Sequence, residues 1–281
     1  MRLGQVKWNG AVTAAIFDVC SARPIPDYTL CDLILRGEKE GESLPALALR
    51  LASRQPVSAH PLIPLHPREV WAAGATYAAS AAARDAALSG ASGYHQQAHR
   101  ASRPEFVFKG TARVCVGPGQ CIGIRPDSDY TAPEPELAAV LGAKGRILGY
   151  TLANDVTARD LEYENPFYIA QAKSYSASCA LGPVMITADE IPDPHALELS
   201  VHIHRNGEQI FAAQVSTSDL VRKLETMIDY LLRANPVPPG SVLLTGSGIM
   251  VHRGAALAHG DSVTIRMPQL GELTNTAAVL N

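Results

Sequence analysis

Apolar and polar positions alternate over the first twenty residues: Leu3, Val6 and Trp8 on one side of Asn9-Gly10, and Val12, Ala14 and Ile16 on the other. That period-two pattern around an Asn-Gly pair predicts a β-hairpin. Asp32–Arg36 and Leu44–Leu51 predict short helices. Pro56, Pro61, Pro64 and Pro67 cannot sustain a helix and predict a linker. A boundary near residue 66 therefore separates a small N-terminal domain, 1–66, from a larger unit, 67–281. Tyr77–Leu88 is alanine-rich and predicts a helix. Ser89–Ser102 is small and polar, and reads either as a surface loop or as a mobile lid over a site.

From Glu105 onward short apolar runs broken by Gly and Pro predict strands: Phe106–Phe108, Val114–Val116, Ile122–Ile124, Leu137–Leu141, Ile147–Leu152, Val184–Thr187, Leu197–Arg205, Gln209–Val215, Ser241–Thr245 and Ser262–Met267. Asn206-Gly207 predicts a hairpin turn between two of them. Leu220, Leu224, Met227, Ile228 and Leu231 recur at helical spacing, with Ser218 or Asp219 as the expected N-cap. The fold class expected is α+β and mainly β.

Composition narrows the function. The 281 residues carry 24 Lys+Arg against 27 Asp+Glu, a net charge of -3, which argues against a general nucleic-acid binder. No stretch approaches the ~20 apolar residues of a membrane helix, and Met1–Lys7 has no secretory signal character. The 5 cysteines are scattered with no CxxC, so neither a disulfide framework nor a zinc knuckle is expected. A cytoplasmic protein acting on a small molecule fits these features.

The candidate chemistry lies in Pro133-Glu134-Pro135-Glu136-Leu137. Glutamates at i and i+2 of an extended chain project to one side, where they repel and raise each other's pKa unless a cation lies between them. Asp155 ends another apolar run and supplies a third carboxylate. Three carboxylates without histidine suit Mg²⁺, with Mn²⁺ or Ca²⁺ as alternatives, better than Zn²⁺. On spacing alone the same pair also fits two solvated carboxylates at a sheet edge. Lys173, in Gln171-Ala172-Lys173-Ser174-Tyr175, could bind a carboxylate or act as a base if desolvated, or be a surface lysine.

PEPELAAVLG, GYTLANDVTARD, QAKSY, ALGPV and LLTGSG, in that order, resemble the fumarylacetoacetate hydrolase superfamily from about Arg68 to Asn281. The resemblance implies a mixed β-roll catalytic domain beside a small N-terminal α/β domain, assembled as a homodimer or homotetramer. It implies a divalent metal on Glu134, Glu136 and Asp155, with Lys173 reaching the substrate and Thr245 hydrogen-bonding its carboxylate. PREVWAAGATYAASAAARD, RPEFVFKGTARVCVGPG and ARDLEYENPFYIAQAKSY are similar to the 2-dehydro-3-deoxy-D-arabinonate dehydratase branch, including Glu162 after the Arg-Asp pair. Hydrolase members commonly carry Asn-Tyr-x-x-His, whereas this chain reads Thr76-Tyr77-Ala78-Ala79-Ser80; His95 and His99 in the candidate lid could supply a histidine.

That branch implies dehydration of a 2-keto-3-deoxy sugar acid to 2,5-dioxopentanoate. The alternative is C–C hydrolysis or decarboxylation of acylpyruvate- or oxaloacetate-type β-diketo acids. In the first reading Lys173 is base or carboxylate anchor, and Glu162 or Glu105 is the acid–base partner, buried against apolar walls for which Phe106, Phe108 and Phe167 are available.

Overall fold

A computed structural model describes residues 1–19, 21–87 and 93–281. Cys20 and residues 88–92 lie outside the described residues, and with them the end of the expected Tyr77–Leu88 helix and the start of the Ser89–Ser102 segment. Among the described residues the framework is a ten-stranded sheet facing a five-stranded one. The large sheet runs Ala22–Ile25, Ala11–Phe17, Arg2–Trp8, Cys179–Thr187, Ile147–Asp155, Pro135–Leu141, Ser241–Leu244, Val70–Gly74 and Glu105–Gly110, with Cys115–Val116 pairing on Cys179–Thr187. The smaller sheet runs Glu208–Ser216, Glu198–Arg205, Ser262–Met267, Gly271–Val279 and Cys121–Ile124. This is the expected mainly β, α+β class.

Strand Pro135–Leu141 shows why the sheet sits where it does. Every residue in it is buried. Leu137, Ala139 and Leu141 enter the core between the two sheets, packed with Leu199, Val201 and Ile265. The alternate Ala138 and Val140 enter a second core on the opposite face, with Leu33, Ile34 and Leu47 of the helices Leu30–Glu40 and Leu44–Leu51. A strand apolar on both faces needs cover on both, which explains the continuous run rather than an alternating one.

The expected domain 1–66 extends this same sheet. Leu3 stands opposite Met185, and the hairpin turns at Asn9-Gly10 as predicted. The proline-rich segment is tied down: Leu62 N–H donates to the Gln5 carbonyl, and the buried Gln5 amide donates to Ile63 O at 3.0 Å.

Two local expectations change. Residues Tyr94–Arg100 of the expected loop form an α-helix. Its N-cap is Gly93, which offers no side chain, so the cap comes from elsewhere in the chain, as described below. The apolar stripe from Leu220 forms a helix only over Leu224–Leu231, after Lys223; Ser218 and Asp219 belong to a 3₁₀ turn. Val221 N–H donates to Thr76 O, and this tertiary bond withdraws Leu220 and Val221 from the helix. Strands Val70–Gly74 and Gly271–Val279 were not expected: the first is a short Val-Trp-Ala-Ala run just after the proline-rich segment, and the second is broken by Thr and Asn. No helix among the described residues is long and apolar enough to cross a membrane.

Candidate active site and metal centre

Sheet register builds the acidic centre. Glu136 stands opposite Ala153 on the neighbouring antiparallel strand, and Asp155 N–H donates to Glu134 O at 2.9 Å. Asp155 and Ala153, like Glu134 and Glu136, are two residues apart, so all three acids project from one face. Their carboxylate oxygens lie within 4.8 Å of one another, and all three side chains are buried. Asn154 Oδ1 accepts the Glu134 N–H at 3.0 Å and ties Glu134 to the neighbouring strand.

Gly246 holds the third member. Its N–H donates to Glu136 Oε2 at 2.5 Å, with φ at +94°, and a Cβ there would fall 2.0 Å from Thr76 Oγ1. Only glycine fits that approach.

Four cations surround the acids, Lys109, Lys173 and Arg159 buried and Arg84 nearly so. Lys173 Nζ donates to Asp155 Oδ2 at 2.6 Å and Thr157 Oγ1 at 2.9 Å, and lies 3.2 Å from Glu134 Oε1. Lys109 Nζ lies 2.6 Å from Asp155 Oδ1 and donates to Val156 O at 2.9 Å. Arg84 bridges Glu134 Oε2 at 2.9 Å and Glu162 Oε1 at 2.8 Å. Arg159 lies 3.1 Å from Glu134 Oε1 and 3.6 Å from Glu162 Oε2. Of these four only Lys173 was singled out from the sequence. Arg84 and Lys109 sit in unremarkable helix and strand patterns, while Arg159 had a signal in the ARD triplet that follows Asp155.

The charges act unequally. Burial would push Glu134 up, but Arg84, Lys173 and Arg159 hold its carboxyl well below the usual range. Glu136 goes the other way: burial, then Asp155 and Glu134, push it well above the usual value. Lys173 is pushed up by Asp155 and Glu134 against the opposing effect of its burial, and so is kept as an ammonium.

These residues fit a hard divalent cation. All three donors are carboxylates, and Glu134 Oε1 and Asp155 Oδ1 are buried with no directed hydrogen bond. In this structure those two oxygens meet only the side-chain cations Lys109, Lys173 and Arg159, and three converging oxygen donors of this kind suit Mg²⁺.

A cavity of about 30 Å³ beside the acids is lined by Arg84, Glu105, Glu134, Asp155, Glu162 and Lys173, with His95 at its edge. It shares His95, Glu105, Glu162 and Ile169 with a wider mouth of about 400 Å³, which also meets Tyr94, Pro166 and Phe167. The inner space takes an ion and a water or two; a five-carbon acid needs the mouth as well.

The other expected residues divide. Glu105, on the edge strand Glu105–Gly110, is exposed rather than buried against apolar walls as expected; its carboxylate turns over Gly74, where a Cβ would meet Oε2 at 2.6 Å, and among the described residues no ion pair holds it. Glu162 is buried, but its surroundings correct the expectation: it lies between Arg84 and Arg159, not against apolar walls. Phe106 packs on the inter-sheet core, Phe108 sits edge-on to Trp71, and Phe167 is 91% exposed at the mouth. The Thr245 hydroxyl donates to Leu137 O at 2.9 Å, so in this arrangement its proton faces the strand.

The comparisons agree with this geometry. The model for the fumarylacetoacetate (FAA) hydrolase C-terminal family matches residues 69–278. A 2-dehydro-3-deoxy-D-arabinonate dehydratase of Saccharolobus solfataricus is 44% identical over 214 residues, 75% of this chain and 72% of that protein. The Haloferax volcanii "probable 2-keto-3-deoxyxylonate dehydratase" is 41% identical over 224 residues, 80% of this chain and 77% of its own. A solved structure of 2-keto-3-deoxy-D-arabinonate dehydratase complexed with magnesium and 2,5-dioxopentanoate is 35% identical, superimposes with a TM-score of 0.84, and covers 100% of both chains. This chain belongs to the fumarylacetoacetate hydrolase family.

Proposed function

We propose that the protein is a Mg²⁺-dependent hydro-lyase that dehydrates a 2-keto-3-deoxy pentonate, such as 2-dehydro-3-deoxy-D-arabinonate, to 2,5-dioxopentanoate and water. The observation that carries this reading is the buried convergence of Glu134, Glu136 and Asp155 at the floor of a cavity whose rim bears acid–base groups. It is supported by the likeness to two proteins named as dehydratases of such acids and to a structure with magnesium and 2,5-dioxopentanoate bound.

Charge bookkeeping supports the substrate class. Glu134, Glu136, Asp155 and Glu162 face Lys109, Lys173, Arg84 and Arg159, formally balanced as ions. A Mg²⁺ ion held by Glu134, Glu136 and Asp155 would add positive charge that polarises a carbonyl and favours loss of a proton beside it. With the Glu105 carboxylate on the same cavity the excess is about one charge, which the substrate carboxylate offsets, and a second arises as Glu105 takes up the proton, which a developing enolate offsets.

The chain's own groups then divide the work. Lys173, held as an ammonium by Asp155 and Glu134, draws the acid end of the substrate by its charge, with the N–H now on Thr157 Oγ1 free to turn to it. Glu105, free of ion pairing and facing the cavity, takes the proton from C3. Glu162 positions Arg84 and Arg159 against Glu134. Thr245 can serve the substrate carboxylate by turning its hydroxyl away from Leu137 O. All of these groups come from 67–281, the unit we assign to catalysis; 1–66 completes its sheet. Assembly as a homodimer or homotetramer and a cytoplasmic location are part of the same reading.

The test is product identification. Purified protein with Mg²⁺ is incubated with 2-keto-3-deoxypentonates, acylpyruvates and oxaloacetate, and products are read by NMR and mass spectrometry. Loss of one water to give 2,5-dioxopentanoate is expected. Pyruvate, acetate or carbon dioxide as the main product would replace this reading with the hydrolase or decarboxylase alternative.

A further inference from the structure

β-Elimination needs two proton-handling groups, one at C3 and one at the departing C4 hydroxyl, and the site so far has one free for the task. Lys173 is engaged by Asp155 and Glu134, and Glu162 by two guanidiniums. The structure supplies another group on the helix Tyr94–Arg100. This helix buries no residue, yet both of its ends are clamped by side chains from elsewhere. The Asp85 carboxylate accepts the N–H groups of His95 at 2.9 Å and Gln96 at 3.0 Å, doing the capping that Gly93 cannot. Arg222 donates to the carbonyls of Ala98 at 3.0 Å and His99 at 3.1 Å, and also to that of Ala101. His99 Nδ1 meets Ala75 O at 2.9 Å.

The clamp fixes His95 at the rim. Its Nδ1 lies 3.1 Å from Asp85 Oδ1, so that nitrogen carries the hydrogen donated to the carboxylate. Nε2, on the other edge of the ring, has no hydrogen-bond partner among the described residues, and the residue lines both the inner cavity and the mouth, with Glu105 and Glu162. A carboxylate that fixes one ring nitrogen and leaves the other in a cleft is the arrangement that orients an imidazole for proton transfer.

We propose that His95 is a catalytic residue, the acid that protonates the departing C4 hydroxyl, and that Asp85 is its positioning residue. The proposal rests on the dehydratase reading above. In the step, Glu105 takes the C3 proton, the C3–H electron pair becomes the C3–C4 double bond, and the C4–O bond breaks. Its electron pair leaves with the oxygen, which accepts the Nε2 proton of the His95 imidazolium, whose Nδ1–H stays on Asp85, and departs as water. Both groups regain their protonation states by exchange with solvent, and the unsaturated keto acid reaches 2,5-dioxopentanoate by proton shifts alone.

The experiment compares the wild type with His95→Gln and Asp85→Asn, all with Mg²⁺ and 2-keto-3-deoxy-D-arabinonate in D₂O. It follows water loss and deuterium uptake at C3 separately by NMR. In His95→Gln, water loss should fall roughly 10²- to 10⁴-fold while C3 exchange persists, because the base is intact. Asp85→Asn should show the same split to a smaller extent with KM little changed. A 4-fluoro analogue, whose leaving fluoride needs little proton assistance, should be turned over by His95→Gln within about tenfold of the wild type, against that much larger loss on the hydroxyl substrate. Undiminished water loss in His95→Gln overturns the proposal. So does joint loss of water release, exchange and fluoride release, which would make the helix merely structural. A wild type that dehydrates no such acid fails earlier, and removes the dehydratase reading itself.

Discussion

Lys109 Nζ lies 2.6 Å from Asp155 Oδ1, with its side chain entirely buried. Removing one partner of a buried ion pair leaves the other uncompensated. Lys109→Ala should therefore lose about 3–5 kcal/mol of stability in urea denaturation of the metal-free protein. A loss below about 1 kcal/mol, the range of an exposed pair, would show that Lys109 is not a structural counter-ion of Asp155.

Glu136 gives a pH dependence whose sign is fixed. Its carboxyl is raised well above the usual value by burial and by Asp155 and Glu134, so the metal-free fold holds this proton more tightly than the unfolded chain does. That stabilisation is complete below the ordinary glutamate range and drains away as pH rises through the raised value. Mg²⁺ must displace the proton to bind. The increase in Tm on adding Mg²⁺ should accordingly grow with pH, with proton release visible in calorimetry across buffers of different ionisation enthalpy. In Glu136→Gln both the release and its pH dependence should vanish; a pH-independent Mg²⁺ effect in the wild type would contradict this assignment.

Two glycines separate metal binding from proton transfer. In Gly246→Ala the new Cβ meets Thr76 Oγ1 at 2.0 Å and Ala73 O at 2.9 Å, at a φ of +94°, so the N–H that holds Glu136 must move. Mg²⁺ affinity should drop tenfold or more, the size of effect seen when a group orienting a metal ligand is lost. In Gly74→Ala the Cβ meets only the flexible end of Glu105, 2.6 Å from Oε2. Turnover should fall by about 10²-fold with Mg²⁺ affinity unchanged in calorimetry. Equal effects of the two variants on Mg²⁺ binding would argue against this division.

The acidic centre was legible in the sequence because it is local. Glu134 and Glu136 share a face by strand periodicity, and Asp155 belongs to the motif that follows. The Asn9-Gly10 and Asn206-Gly207 turns were legible for the same reason: both pairs take the positive φ values their chemistry allows. The cations around the acids were not. Arg84 reaches Glu134 across 50 positions and Lys109 reaches Val156 O across 47, and nothing in the local pattern marks either side chain as turned inward. The helix Tyr94–Arg100 escaped notice for a related reason. It has no apolar stripe, and its caps, Asp85 and Arg222, lie outside it. Glu162 was found, but its partners could not be read from spacing alone.

Asp85→Ala should uncap that helix, at about 1–2 kcal/mol for the lost cap. Tryptic cleavage after Arg100 should speed up roughly in proportion, while global Tm shifts little. Unchanged cleavage at Arg100 would show that Asp85 does not hold the helix.

The most direct test of the central claim is the position of the metal. Crystals soaked in Mn²⁺, a stand-in for Mg²⁺, should show one strong anomalous peak within coordination distance of Glu134, Glu136 and Asp155. A peak elsewhere, or none among these carboxylates at saturating Mn²⁺, would contradict the account.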